Sequence, residues 1–124
     1  MIRTTPEVWN HTLIAGATLD ETWTVTDSGG TAVDLTGCSG TASCRTGYGT
    51  AATVAMTFGT ANLILGGTAG TLRFLQTAAT TAALGSAYNY EAGELAFDCE
   101  ITEAGGDVSR VLAGIWSVSP EVTR

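Results

Sequence analysis

The side chains of this sequence that could do acid–base, nucleophilic or metal chemistry are few. It has one histidine, His11, three cysteines, Cys38, Cys44 and Cys99, no lysine, and twelve carboxylate residues. Catalysis needs groups that exchange protons or attack near neutral pH, held close together. A single imidazole in Asn10-His11-Thr12-Leu13 lacks the companions that a metal ion would need, so His11 reads as a surface or hinge histidine. Cys38 and Cys44 are six apart rather than in a C-x-x-C pair, and no cluster of histidines accompanies them. The carboxylates are better grouped: Glu94, Asp98 and Glu100 share one parity, and Glu103 and Asp107 bracket the turn that follows. A hard cation would be their chemistry, but calcium loops gather more oxygen ligands than EAGGD offers, so these acids read as a solvated face. The glycine clusters DSGG, LGGTAG and EAGGD lack the lysine and the strand-to-helix context of a phosphate loop and read as hairpin turns. The expectation is a protein that is not an enzyme, with no cofactor and no metal.

The elements that would position these residues are mostly strands. Leu19, Trp23 and Val25 share one parity while Asp20, Thr22, Thr24 and Thr26 share the other, which is the alternation of a strand with one buried face. Further strands are expected over 10–14, 19–26, 33–35, 41–46, 54–58, 63–65, 71–75, 94–102 and 108–118. In these, Val54, Met56 and Phe58 share a face, and Leu72 and Phe74 point inward. Residues 77–84 (TAATTAAL) are the one helix candidate, with Gly85 as its C-terminal stop. Cys44 and Cys99 fall on inward parities and could face one another across the core, packing as small apolar groups. Short strands, turn signals about every ten residues and one stub of helix imply an all-β antiparallel sandwich, Ig-like or jelly-roll-like, of seven or eight strands. Residues 1–10 read as an extended arm, broken by Pro6, and residues 11–124 as a single sandwich domain.

Two segments stand out as contact candidates. The arm, with Trp9 as an anchor, either reaches a neighbouring subunit or lies over its own sheet. The last strand is apolar on both parities, with Leu112, Trp116 and Val118 on one and Val111, Ala113 and Ile115 on the other, so it is covered on both faces by its own fold or by a partner. The candidate partner interface is therefore Ile2, Val8, Trp9, Val111, Ala113 and Ile115. The net charge is −7 and the five arginines are scattered at positions 3, 45, 73, 110 and 124, so no basic patch tracks a phosphate backbone and nucleic acid is not the expected partner. No apolar stretch reaches the length of a membrane span, and the polar opening MIRTTPEVWN has no signal-peptide core, so synthesis in a cytoplasm is expected. An odd number of cysteines fits a reducing compartment.

The segments DSGGTAVDLTGCSGTASCR, TLRFLQTAATTAALGSAYNYEAGELAFDCEIT and VLAGIWSVSPEVTR, in that order, resemble a family of small structural proteins encoded by tailed phages and prophages. Ala32 stands where that family tends to have proline, and Cys44 and Cys99 replace aliphatic core residues. The resemblance implies a virion component, made in the bacterial host cytoplasm, with an immunoglobulin-like or related sandwich used for capsid decoration or for attaching baseplate or fibre proteins. Its partner would be the major capsid protein or another virion protein, bound by a homo-oligomer, a trimer or dimer. Two other readings stand beside decoration. One is a head–tail or tail-fibre adaptor. The other is a carbohydrate or cell-surface binding module, in which Trp9, Tyr48, Tyr88 and Tyr90 would stack on sugars.

Overall fold

A computed structural model describes residues 5–47, 52–87 and 94–119. Ile2, the three tyrosines and the closing residues 120–124 lie outside them. Within the described residues are nine strands and one α-helix: β1 (Glu7–Val8), β2 (His11–Ile14), β3 (Leu19–Thr24), β4 (Ser39–Arg45), β5 (Val54–Phe58), β6 (Leu63–Leu65), β7 (Thr71–Gln76), α1 (Ala78–Ala87), β8 (Glu94–Thr102) and β9 (Val108–Ser119). They form an all-β sandwich. One sheet runs β1-β9-β8-β4-β5, with β2 continuing β1 along β9, and the other runs β3-β7-β6. Pairing is antiparallel except that β1 and β2 both run parallel to β9. Taking β3, β7 and β6 as B, E and D, and β9, β8, β4 and β5 as G, F, C and C′, this is the strand order of an immunoglobulin-type Greek key, with the N-terminal strand on the last strand.

Alternation does what it should in the central strands. Leu95, Phe97, Cys99 and Ile101 of β8 are all buried, as are Leu72 and Phe74 of β7. The inner faces meet in an aromatic cluster: Phe97 stacks on Trp116 with centroids 4.3 Å apart, and Phe58 meets Phe74 edge to face at 5.4 Å. Aromatic pairs in these geometries add to the area they bury. Cys44 and Cys99 are buried free thiols, as part of this core. They lie on adjacent strands of one sheet, Cys44 opposite Phe97 and Cys99 opposite Ala42, rather than facing each other between sheets.

Several expectations fail for reasons of local geometry. Among the described residues the N-terminal segment adds two short strands to β9, β1 falling within the stretch expected to be an arm. Residues 33–35 form no strand: Asp34 accepts the Thr36 N–H at 2.9 Å, a side-chain turn that competes with ladder pairing, and what remains is the bridge Thr26–Ala32 with single backbone bonds from the Val33 N–H to the Val25 carbonyl and from the Leu35 N–H to the Gly67 carbonyl. The strand expected over 19–26 ends at Thr24. The helix starts at Ala78, with the Thr77 hydroxyl accepting the Thr80 N–H at 3.3 Å, and it runs through the expected stop at Gly85 to Ala87. Glycine inside a helix costs only about 1 kcal/mol and need not stop it. Val54 is 41% exposed instead of sharing the inward face of Met56 and Phe58. The β4–β5 register shifts after Cys44, so that Ala55 is the extra residue and packs toward the core in place of Val54.

The hairpins show the turn chemistry that the glycine clusters implied. Asp27 accepts the N–H groups of Gly29 and Thr31 at 2.9 and 3.0 Å, and Gly30 takes a φ of +84°, which a side chain would resist. Thr81 of α1, fully buried, ties the helix to the β2–β3 turn: its hydroxyl donates to the Ala17 carbonyl at 2.7 Å and accepts the Gly16 N–H at 3.1 Å.

Candidate interaction face

The last strand's apolar residues on both parities have a specific cause. Along β8–β9, Cys99 opposes Leu112 while the next residue, Glu100, opposes Arg110, so Val111 is the extra residue of a β-bulge. A bulge flips parity for everything beyond it. Before it, Ser109 and Val111 point inward; after it, Leu112, Trp116 and Val118 do, and all five are buried. Val111 is thus covered by its own fold and is not an outward contact, which corrects its place in the expected interface. Ala113 and Ile115 do point outward, half-buried.

The N-terminal segment sorts its residues in the same way. Glu7 and Val8 pair in parallel with Leu112 and Ala113, and the Trp9 N–H donates to the Ala113 carbonyl at 2.9 Å. This segment therefore lies over its own sheet, the second of the two readings for residues 1–10. Trp9 turns inward: its ring centroid is 4.9 Å from that of Trp116, 5.2 Å from Phe74, 5.3 Å from Trp23 and 5.5 Å from Phe97. It is a plug between the two sheets, which removes it from the outward interface and from any sugar-stacking role. Val8, one residue earlier, is 70% exposed.

The close fit of this segment depends on Gly114. A Cβ there would lie 2.1 Å from the Trp9 carbonyl oxygen and 2.6 Å from its carbon, distances no real side chain tolerates. Next to it the Asn10 side chain stands in for a ladder carbonyl, its Oδ1 accepting the Ile115 N–H at 2.9 Å. From there β2 resumes pairing, His11 opposite Trp116 and Leu13 opposite Val118.

Of the six expected interface residues, the structure brings Val8, Ala113 and Ile115 to one outer face, sends Trp9 and Val111 into the core, and does not describe Ile2. Register extends the face to residues that sequence reasoning missed. Ala96 of β8 sits directly opposite Ile115, and Ile14, 55% exposed, lies further along the same side of β2. Ala96 was hidden among the acids of ELAFDCEIT because a small residue on the polar parity carries no signal until its cross-strand neighbours are known. Gly114 did carry one, since glycine inside a strand often marks a close backbone approach. The patch is bordered by charge: Asp98 opposes Ala113 and pairs with Arg110 at 3.5 Å, with Glu94 and Glu100 to either side along β8.

The other titratable groups are placed as follows. His11 is half-buried on β2, against Trp116 at 4.9 Å and Trp9 at 5.5 Å, and burial holds its pKa below the usual imidazole value against a weaker upward pull from Glu21. Burial raises all three thiols, with nearby carboxylates adding to it; Cys99 is pushed up to about 12, and Cys44 well above the ordinary thiol range. On the opposite sheet Asp20 accepts two hydrogen bonds from Arg73, at 2.9 and 2.8 Å, which lowers its carboxyl pKa. Among the described residues no three histidine, cysteine, aspartate or glutamate side chains converge on one point, and no helix is long and apolar enough to cross a membrane. No protein-family model matches this chain, and no curated protein matches it significantly.

Proposed function

We propose that this chain is a non-enzymatic structural protein of a tailed-phage virion, a decoration or cement protein that seats its β1–β9–β8 outer face on the major capsid protein. The observation that carries the proposal is the contiguity of Val8, Ala113, Ile115 and Ala96 on one outer face, where a sandwich ordinarily alternates to polar residues. The resemblance of the ordered segments to phage structural proteins supports the virion setting. A tightly packed sandwich with its N-terminal strand locked down suits a part that must survive on a particle surface. The protein acts there as a homo-oligomer, a trimer or dimer.

The test is attachment to particles assembled without the protein. Ile115→Asp places an unpaired charge in the centre of the face, and leaving a charge uncompensated at a desolvated contact costs about 2–5 kcal/mol, or roughly 30- to 4,000-fold in affinity. Wild-type protein should bind in hundreds of copies per particle by imaging, and Ile115→Asp should leave particles bare while remaining folded. A dozen copies or fewer at the neck or tail would replace decoration with the adaptor reading. Undiminished occupancy by Ile115→Asp would refute the role of this face.

A further inference from the structure

A sheet edge that nothing covers can be paired by another chain, and the edges of this sandwich are not equally open. β6 offers three residues. β5 is bulged at Ala55, and its Thr57 carbonyl already accepts a hydrogen bond from Gln76 Nε2 at 2.7 Å. The β1–β2 edge is broken at Trp9 and Asn10, between pieces of two and four residues. β3 is different: its six residues pair with β7 without a shift, and no described strand lies on its other side.

Register decides which backbone groups that edge presents. The Val25 N–H donates to the Gly70 carbonyl, one step beyond the end of the β3–β7 ladder, while the Leu75 N–H and the Thr71 carbonyl bond toward β6. Leu19, Glu21 and Trp23 therefore turn their backbone groups to β7. Asp20, Thr22 and Thr24 turn theirs to the open edge, as three N–H and three C=O groups repeating at about 7 Å. All three residues are exposed. The neighbour across this edge, β2, belongs to the other sheet and is separated from β3 by a cleft of about 190 Å³.

Glu21 gives the edge its chemistry. It shares the parity of Leu19 and Trp23, yet it is exposed and lines that cleft. None of the described arginines serves it: Arg73 is held by Asp20 on the outer face, Arg110 pairs with Asp98, and Arg45 donates to the Ala52 carbonyl. The chain has no lysine. We infer that β3 is a docking edge for an extended segment of a partner protein, added as a fourth strand to β3–β7–β6, with a lysine or arginine of that segment on Glu21 and apolar residues two positions to either side of it. Backbone bonds to Asp20, Thr22 and Thr24 hold the segment, and the side chains entering the cleft select it. Opposite charges facing each other on neighbouring strands stabilise the pairing and like charges oppose it. The same rule disfavours a second copy, because β3 paired to β3 brings two sets of Asp20 and Glu21 onto adjacent strands. The edge belongs to the sheet opposite the β1–β9–β8 face, so it stands independently of the virion reading.

The experiment uses the full chain, labelled for NMR, and two blocked synthetic peptides, TVTRTVT and TVTETVT, at concentrations up to about 1 mM. The arginine peptide should bind roughly two- to thirtyfold more tightly than the glutamate peptide. It should slow amide exchange at Thr22 and Thr24 and leave the β8–β4 ladder unchanged. Glu21→Arg should reverse the preference, and Thr22→Pro, which removes an edge N–H that β7 does not use, should weaken both peptides. Absence of binding by either peptide, a preference under twofold, or protection appearing at β5 or β9 instead would overturn the docking edge. Self-association of the free protein that protects Thr22 and Thr24 would also overturn it, by giving the edge to a second copy. If Thr22→Pro does not fold, the preference and its reversal in Glu21→Arg decide the matter.

Discussion

Gly114→Ala tests how the N-terminal segment is held. The added methyl would sit 2.1 Å from the Trp9 carbonyl oxygen and 2.6 Å from its carbon, and both are backbone atoms that cannot swing aside. The segment must move out by about 1 Å to restore ordinary contact. Two hydrogen bonds straddle that point, Trp9 N–H to the Ala113 carbonyl and Ile115 N–H to Asn10 Oδ1, each 2.9 Å long. Losing or stretching both costs about 1 kcal/mol apiece, and overpacking with partial withdrawal of the Trp9 ring adds about as much again, for a total of about 2–4 kcal/mol. For a chain of this size that is a fall of about 8–16 °C in Tm. Urea and thermal unfolding followed by tryptophan fluorescence would read it. The decisive control is a truncation lacking residues 1–10, in which the obstacle is gone and Gly114→Ala should be nearly neutral. A full-length Gly114→Ala protein within about 0.5 kcal/mol of wild type, or an equal loss in both backgrounds, would refute the reasoning.

Trp9→Ala should cost about 2–4 kcal/mol, the lower part of the range for a large aromatic because the ring is only partly buried, whereas Val8→Ala should stay within about 0.5 kcal/mol; urea denaturation of the pair checks both. Val111→Asp buries a charge at the bulge and should abolish cooperative unfolding, while Ile115→Asp on the outer face should stay within about 1 kcal/mol of wild type by the same assay. Replacing Thr81 with Val leaves the Gly16 N–H and the Ala17 carbonyl unpaired, for an expected loss of about 1–3 kcal/mol by thermal unfolding. At pH 8 a thiol reagent should titrate at most one cysteine of the native protein, Cys38, and all three in denaturant, because the buried thiols stay protonated; fast reaction of two or more would contradict the burial of Cys44 and Cys99.

The residues that signal locally were legible. Period-two alternation placed β3, β7 and β8 with the right inward faces, because a strand's two sides differ in solvent exposure whatever its partner. Asp27 and Gly30 announced their turn, since side-chain hydrogen bonds and positive φ are properties of four consecutive residues. What misled was any pattern whose meaning depends on a distant neighbour. Val111 and Ile115 have the same parity and similar character, yet one is core and the other surface, because Cys99 and Glu100 skip a residue across the ladder. Val54 and Ala55 exchange places for the same reason on β5.

The candidate face shows the same division. The sequence by itself determined an all-β sandwich, a cationless polar exterior apart from five arginines, and an apolar excess at the N-terminal segment and last strand. Only the tertiary structure decided which part of that excess faces outward. Parallel docking of residues 7–14 on β9 seats Trp9 between the sheets and leaves Val8 outside. Nothing in MIRTTPEVWN encodes that choice, because it depends on the room left by Gly114, a hundred residues further along. Backbone pairing is chemically uniform along a strand, so register and edge partners emerge only when the whole core is assembled and the largest side chains find the remaining space.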